Sequence, residues 1–130
     1  MVWEYNANFN ETKNFSAEKV GFAAAIISNC DASHRLNYIK ELQNYIKVDI
    51  FGNCGRKCPA MSKVNPKIVD DCKQIISTDY KFYFSFENSI CKDYITEKFF
   101  SILRYNVIPV VYGGGLYEHY VRIVFFYTYL

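Results

Sequence analysis

The chain has 130 residues, of which 51% are hydrophobic and 22% are charged, a composition typical of a globular domain rather than of a disordered segment. The length fits one domain or one half of a two-domain enzyme. Fifteen basic and thirteen acidic residues give a formal net charge of +2, which argues against the basic stripe of a nucleic-acid-binding domain.

The two ends of the chain differ from its middle. Residues 1–18 are polar and rich in Asn, and we interpret them as a loose lead-in. This stretch has neither the basic start nor the apolar run of a signal peptide, so we expect the natural N-terminus to lie further upstream. Residues 121–130 are mostly apolar, but they are about half as long as a helix that spans a bilayer.

Between these ends, the hydrophobic pattern predicts alternating strands and helices. The predicted strands are residues 20–28, 47–52, 82–86 and 107–112, and the predicted helices are residues 35–46, residues 67–77 and one that starts at Glu97. The first strand is a continuous apolar run, which suits a strand buried on both faces. Alternation of this kind predicts an α/β fold, a Rossmann-like parallel sheet with helices on both faces.

Ligands of such sheets bind beyond the carboxyl ends of the strands. Three predicted loops leave those ends, at residues 28–35, 87–98 and 113–117. The second loop is the most polar, and Thr96 is suited to cap the helix that follows it. The N-terminus of a helix attracts phosphate, and Lys98 would add a full positive charge there.

Other side chains near these loops suit a nucleotide or a sugar. Tyr94 can stack on a base or bond a ribose, and Glu97 can accept hydrogen bonds from sugar hydroxyls or face developing positive charge. Arg35 stands at the start of a helix, where the helix dipole does not favour a cation, so a nearby anion would explain it. Asn88 can bond either the backbone of a turn or a ligand hydroxyl.

An ordinary structural explanation exists for the same residues. In that interpretation Thr96 only caps the helix, Glu97 complements its dipole and Lys98 is solvated. Arg35 would be a common surface arginine. The residue pattern alone leaves both interpretations open.

Several classes of site lack their motifs. No G-x-G-x-x-G sequence follows the first strand, and the glycines at 113–115 lack the Lys-Ser/Thr ending of a P-loop. No D-x-D motif of the metal-dependent sugar transferases is present, so we expect no metal site. The two histidines lie in separate segments and suggest no catalytic triad.

The cysteine content favours an oxidising compartment. The five cysteines are Cys30, Cys54, Cys58, Cys72 and Cys91. Their odd number leaves at least one without a partner in the chain, and about fifteen pairings are possible. A zinc site at Cys54 and Cys58 is less favoured than disulfides, because their spacing is not C-x-x-C. Glycosylation sequons at Asn10 and Asn14 also favour a secretory route.

One combination of motifs resembles a known family. It comprises Phe-Glu-Asn-Ser at 86–89, Asp-Tyr-Ile-Thr-Glu-Lys at 93–98, Val-Ile-Pro-Val-Val at 107–111 and Gly113. In this order these segments resemble the signature of the α1,3-fucosyltransferases, the family-10 inverting glycosyltransferases. Residues 28–35 and 48–55 are similar to that family too. The cysteine pattern is most similar to the branch that fucosylates the core of N-glycans.

The resemblance implies a two-lobed glycosyltransferase of the GT-B type, of which residues 19–120 would be the GDP-fucose-binding lobe, incomplete here, and 121–130 a divergent tail. By this resemblance, Arg35 and Lys98 would hold the diphosphate. Tyr94 and Asn88 would lie against the nucleotide and its ribose, and Glu97 would meet ribose or fucose hydroxyls.

The resemblance also implies an activity and a location. The enzyme would transfer L-fucose from GDP-fucose to GlcNAc of a glycoprotein N-glycan in α1,3 linkage with inversion, without a required cofactor. The full-length protein would be membrane-anchored on the lumenal side of the Golgi. The lobe that binds acceptor and supplies the base has no counterpart here, so we expect a truncated chain that binds GDP without catalysing transfer.

Two further hypotheses stay open. The chain can be a non-catalytic nucleotide-sugar-binding remnant or interaction module that pairs with a full-length enzyme. It can also be a fragment that does not fold, since exposed strand edges favour aggregation.

Overall fold

The computed structural model describes residues 17–31, 33–88 and 92–117. Within them the chain forms β1 (Gly21–Ile26), α1 (Ser33–Leu42), β2 (Val48–Phe51), α2 (Cys72–Asp79), β3 (Tyr80–Phe86), α3 (Glu97–Phe100) and β4 (Ile108–Tyr112). The predicted order of strands and helices is confirmed. The two predicted terminal segments fall almost entirely outside the described residues, and the division of the chain at 18 and 120 stays a prediction.

The four strands form one parallel sheet in the order β2-β1-β3-β4. Ala23 in β1 lies opposite Val48 on one side and Phe82 on the other, and Phe82 in turn lies opposite Ile108. The chain leaves β1 toward β2 and later returns past β1 to form β3. The carboxyl ends of β1 and β3 therefore adjoin at a point of reversed strand order, where open α/β sheets bind their ligands.

Helices cover both faces of this sheet, as predicted. Successive β1 residues point to opposite faces, so Ala23 and Ala25 face α1 whereas Ala24 faces α2. The α1 face buries Ala23, Ala25, Ile27, Leu36, Ile39, Val48, Phe84 and Phe86. The other face buries Ala24, Phe51, Ile76, Tyr83 and Ile102. Burial on both faces explains why β1 is a continuous apolar run and why β3 carries aromatic side chains on both faces.

Both ends of α1 and of α2 differ from the predicted bounds, by two residues at the start of α1 and the end of α2 and by more at the other two ends. The helix predicted at 67–77 begins at Cys72, because the Asp71 side chain accepts a hydrogen bond from the Gln74 backbone N–H and caps it there. The helix predicted to reach residue 46 ends at Leu42. Hydrogen bonds from Asn44 and Tyr45 to carbonyls three residues earlier close the chain into tighter turns there.

Two disulfides fix the loops between these elements. Cys30 pairs with Cys54, which joins the loop after β1 to the loop after β2, and Cys58 pairs with Cys72 at the start of α2. The disulfide interpretation is confirmed for these four residues, so the zinc alternative at Cys54 and Cys58 is wrong. Cys91 lies outside the described residues.

Candidate functional site

The three predicted loops meet at the carboxyl edge of the sheet. The backbone N–H of Asp93 donates to the Gly114 carbonyl across 3.0 Å, which joins the second and third loops. Arg35, in the first turn of α1, donates to the carbonyl of Phe86 at the end of β3 across 3.1 Å. These bonds bring the candidate residues of all three loops to one region.

Arg35 is buried, with 1% of its surface exposed. Its Nη1 and Nη2 donate to the carbonyls of Phe86 and Asn29, each at 3.1 Å, while its Nε has no partner among the described residues. Burial lowers the pKa of Arg35 from its ordinary value, and the negative charge of Glu87 opposes that shift. The interpretation of Arg35 as a common surface arginine is therefore wrong, whereas contact with a diphosphate stays a prediction.

Thr96 caps α3 as the sequence predicted. Its hydroxyl oxygen accepts from the Lys98 backbone N–H at 3.4 Å, and α3 begins at Glu97. The helix spans only four residues, Glu97–Phe100, after which the chain continues in turns. So short a helix has little dipole, and any positive charge offered to a phosphate here must come from side chains.

Glu97 and Lys98 lie near the surface of the site. Their side chains form an ion pair at 3.5 Å, with 77% of Glu97 and 30% of Lys98 exposed, and such pairs contribute little to stability. The pKa of Glu97 is lowered, first by a hydrogen bond from its own backbone and then by the charges of Lys98 and Lys73. Both side chains are therefore accessible to a ligand, and their parts in donor binding stay predictions.

Asn88 and Tyr94 belong to the same loop and differ in exposure. The Asn88 side-chain oxygen is buried and has no hydrogen-bond partner among the described residues. Tyr94 is 40% exposed, which leaves its ring accessible. A buried oxygen without a donor is costly, so Asn88 is suited to accept a hydrogen bond from a ligand or a water. Their predicted contacts with a nucleotide remain predictions.

Glu87 belongs to the Phe-Glu-Asn-Ser segment at 86–89, but the sequence assigned it no role. It is fully buried, and its two side-chain oxygens accept from the Thr96 backbone N–H at 2.9 Å and from the Thr96 hydroxyl at 2.7 Å. The available signal was a charged residue placed directly after a strand of buried aromatic side chains. Such a residue needs partners, and a capping Thr nine positions later is a suitable one.

Tyr117 is a second residue that the sequence did not indicate. It is fully buried against the Phe99 ring, with 4.9 Å between centroids, and its hydroxyl has no partner among the described residues. Burial, together with the charge of Glu87, raises the pKa of Tyr117 to about 12. A Cβ at position 113 would overlap this hydroxyl and press on Glu87, so the space requires Gly113.

Lys73 adds a further cation at this edge. It lies in the first turn of α2 and donates to the Ser101 hydroxyl at 2.7 Å. Its charge is close enough to lower the pKa of Glu97. The sequence did not indicate it, because the predicted helix started at residue 67 and placed Lys73 in the middle.

Comparison with known proteins matches most of the chain to one family. The family model "Glycosyltransferase family 10 (fucosyltransferase) C-term" matches residues 16–127. In the ranges that the structure describes, each helix is too short or too polar to cross a membrane. Within those ranges, no three His, Cys, Asp or Glu side chains are grouped as metal ligands would be.

Curated relatives agree with the family match. A glycoprotein 3-alpha-L-fucosyltransferase A of Drosophila melanogaster is 49% identical over 103 residues, which are 78% of this chain and 20% of that protein. A GDP-fucose protein O-fucosyltransferase 3 of Mus musculus is 41% identical over 108 residues, or 80% of this chain and 22% of that protein. The chain thus spans about a fifth of the length of these relatives.

Solved structures show the same fold. A crystal structure of an α1,3-fucosyltransferase with GDP superposes with a TM-score of 0.61 at 25% identity, covering 84% of this chain and 29% of that one. A crystal structure of an α1,3-fucosyltransferase with GDP-fucose gives a TM-score of 0.60 at 25% identity over the same share of each chain. The Rossmann-like lobe expected from the strand order is thus shared with GT-B fucosyltransferases.

Proposed function

Since the chain belongs to glycosyltransferase family 10, the fucosyltransferases, we propose that residues 19–120 form the GDP-fucose-binding lobe of an α1,3-fucosyltransferase. The observation that carries the proposal is the polar cluster at the junction of β1 and β3. There Arg35 and Asn88 keep buried polar atoms that have no partner among the described residues, and the accessible side chains of Tyr94, Glu97 and Lys98 belong to the same loop as Asn88. A ligand rich in oxygen and N–H groups would satisfy them.

In this proposal each side chain has a distinct contact. Lys98 neutralises the diphosphate at the surface, and Arg35 does so through the N–H groups that its two carbonyl bonds leave free. Asn88 accepts a hydrogen bond from the nucleoside, and Tyr94 stacks on the nucleotide. Glu97 accepts hydrogen bonds from ribose or fucose hydroxyls.

Transfer with inversion requires an acceptor hydroxyl to attack the anomeric carbon as GDP leaves. Cations fixed beside the diphosphate stabilise the negative charge that develops on the leaving group. From this chain the contribution would come from Lys98 and Arg35, since α3 is too short to add much dipole. We assign acceptor binding and the catalytic base to the portion of the enzyme that this chain does not match.

We propose GlcNAc of a glycoprotein N-glycan as the acceptor. The chain is 49% identical to the glycoprotein 3-alpha-L-fucosyltransferase A and 41% identical to the protein O-fucosyltransferase 3. This difference favours a glycan over a protein side chain as the acceptor. We also propose that the full-length enzyme is membrane-anchored and acts in the Golgi lumen; the two disulfides support the oxidising compartment in this proposal.

Titration calorimetry of the purified chain with GDP tests the proposed donor site. We expect saturable binding that Lys98→Ala weakens by about tenfold or more, the loss of one charge-assisted contact to phosphate. Lys92→Ala is the matched control, because Lys92 is an exposed lysine of the same loop. Absence of GDP binding by a folded chain, or equal affinity losses in both variants, would contradict the proposed site.

A second experiment addresses the acceptor. The full-length enzyme carrying this lobe is incubated with GDP-fucose and either an N-glycan with a free core GlcNAc or a folded protein domain bearing Ser and Thr. Fucose on the glycan supports the proposal, whereas fucose on Ser or Thr alone would assign the chain to the protein O-fucosyltransferases.

A further inference from the structure

Glu87 is a charged side chain that is fully buried, which lowers the stability of the fold unless other groups compensate the charge. It is a carboxylate with no exposed surface at the carboxyl end of β3. Burial of a charged group is strongly unfavourable unless hydrogen bonds and opposite charge compensate it. Both side-chain oxygens of Glu87 are used by a single residue, Thr96, at 2.9 Å and 2.7 Å.

The backbone around Glu87 is held firmly to the sheet. The Glu87 backbone N–H donates to the Tyr112 carbonyl of β4 across 3.0 Å. The preceding carbonyl, of Phe86, accepts from Arg35, whose charge lies close enough to interact with the Glu87 carboxylate. Hydrogen bonds with β4 and with α1 therefore hold the backbone from which the Glu87 side chain projects.

Thr96 passes this constraint to the start of α3. The Thr96 hydroxyl donates to the Glu87 carboxylate and accepts from the Lys98 backbone N–H. This one oxygen therefore links Glu87 to Lys98. Ser85, two residues before Glu87 in β3, donates to the Lys98 carbonyl at 3.0 Å. The carbonyl of Lys98 is thus tied directly to β3, and its N–H is tied through the Thr96 hydroxyl to Glu87, just after β3.

We infer that Glu87 is a positioning residue of the donor site, which fixes Thr96 and thereby the backbone from which Glu97 and Lys98 project toward the diphosphate and sugar. The inference rests on the proposed function. A preorganised cation loses less conformational entropy on binding than a mobile one, so the Glu87–Thr96 contact raises affinity without touching the ligand.

The test measures the dissociation constant of GDP for the chain and for Glu87→Gln, Thr96→Val and the double variant. In Glu87→Gln the Thr96 hydroxyl loses its carboxylate acceptor, and in Thr96→Val the hydroxyl itself is absent. We expect each single variant to weaken GDP binding about tenfold, with little further loss in the double variant, because both remove one contact. Thr96→Ser keeps the hydroxyl and should bind GDP as the unaltered chain does.

Two readouts separate positioning from a purely structural effect. Circular dichroism confirms that each variant is folded at the titration temperature, and if Glu87→Gln does not fold, Thr96→Val compared with Thr96→Ser decides the inference alone. Amide hydrogen exchange of Lys98 should accelerate in Glu87→Gln and in Thr96→Val, but not in Thr96→Ser.

The possible failures are distinguishable. No GDP binding by the unaltered, folded chain would overturn the proposed function. Tight binding by the unaltered chain, with unchanged affinity in Glu87→Gln and Thr96→Val or with independent, additive losses, would overturn only the positioning role of Glu87.

Discussion

Arg35 donates from Nη1 to the backbone carbonyl of Phe86 across 3.1 Å and so joins the first turn of α1 to the end of β3. A second bond, to the Asn29 carbonyl, anchors the loop that follows β1. A single buried guanidinium therefore connects three segments at the carboxyl edge of the sheet.

Replacement of Arg35 should reduce stability as well as ligand binding. Arg35→Met leaves the carbonyls of Phe86 and Asn29 without their donor and removes the cation beside Glu87. We expect the free energy of unfolding to fall by about 1–3 kcal/mol, the usual cost of buried groups left unsatisfied. Urea unfolding followed by circular dichroism measures it. The exposed Lys40→Met, also on α1, should change stability little; equal losses in the two variants would contradict this account.

Gly113 should be sensitive to the addition of a single methyl group. In Gly113→Ala the new Cβ overlaps the Tyr117 hydroxyl and presses on Glu87, and overpacking of this kind costs about 1–3 kcal/mol of unfolding free energy. The cost should be smaller in a Tyr117→Phe background, because the overlapping oxygen is then absent. Thermal or urea unfolding of the four proteins in this cycle measures the coupling, and a cost that is the same in both backgrounds would refute the contact.

The free energy of unfolding should fall at alkaline pH because of two buried tyrosines, Tyr83 and Tyr117. Burial is the main cause that raises the pKa of Tyr83 and of Tyr117 to about 12 each, whereas the unfolded value is near 10. The folded state therefore retains protons that the unfolded state releases, and stability falls as pH rises from 10 through 12. Tyr117→Phe should reduce this slope. Tyr45→Phe, whose tyrosine is 81% exposed, should not.

Tyr117→Phe should also be tolerated at neutral pH. The hydroxyl is buried without a partner among the described residues, so its removal leaves no group unsatisfied. We expect an unfolding free energy equal to or slightly above that of the unaltered chain. A clear loss of stability would instead show that this hydroxyl is bonded.

The disulfides should contribute measurably to stability. They join residues 24 and 14 positions apart, and loops of this size correspond to about 3 kcal/mol of unfolding free energy each. Reduction with dithiothreitol should lower the melting temperature. A variant with Cys30→Ser and Cys54→Ser should respond to dithiothreitol about half as much, and an undiminished response would contradict the pairing.

The sheet could be predicted from sequence because its signals are local. The apolar runs at β1 and β4 and the aromatic residues of β3 indicate strands that are buried on both faces. The alternation of these strands with helices predicts that they are parallel. The short α3 could not be predicted in length, since Phe99 and Ile102 keep helical spacing although the chain after Phe100 turns more tightly.

The arrangement within the site could be predicted only in part. The sequence predicts that the loops carrying Arg35, Asn88 and Lys98 meet at one edge, because parallel strands align their carboxyl ends, and the structure brings them together there. The burial of Arg35 could not be predicted. Its hydrogen-bond partners are backbone carbonyls, one of them 51 residues away, and every residue has a carbonyl whatever its type. Disulfide pairing depends on loop paths, which the cysteine spacing does not determine.

The central claim is that GDP binds at the carboxyl edge of the sheet, and a two-dimensional NMR titration of the isotope-labelled chain with GDP tests it most directly. We expect the amide signals of Asn88, Tyr94 and Lys98 to shift saturably. A separate cationic pocket near the starts of β2 and β3, which includes Lys47 and Lys63, should show no saturable shift. Shifts confined to that pocket, or no shifts in a well-folded chain, would contradict the account.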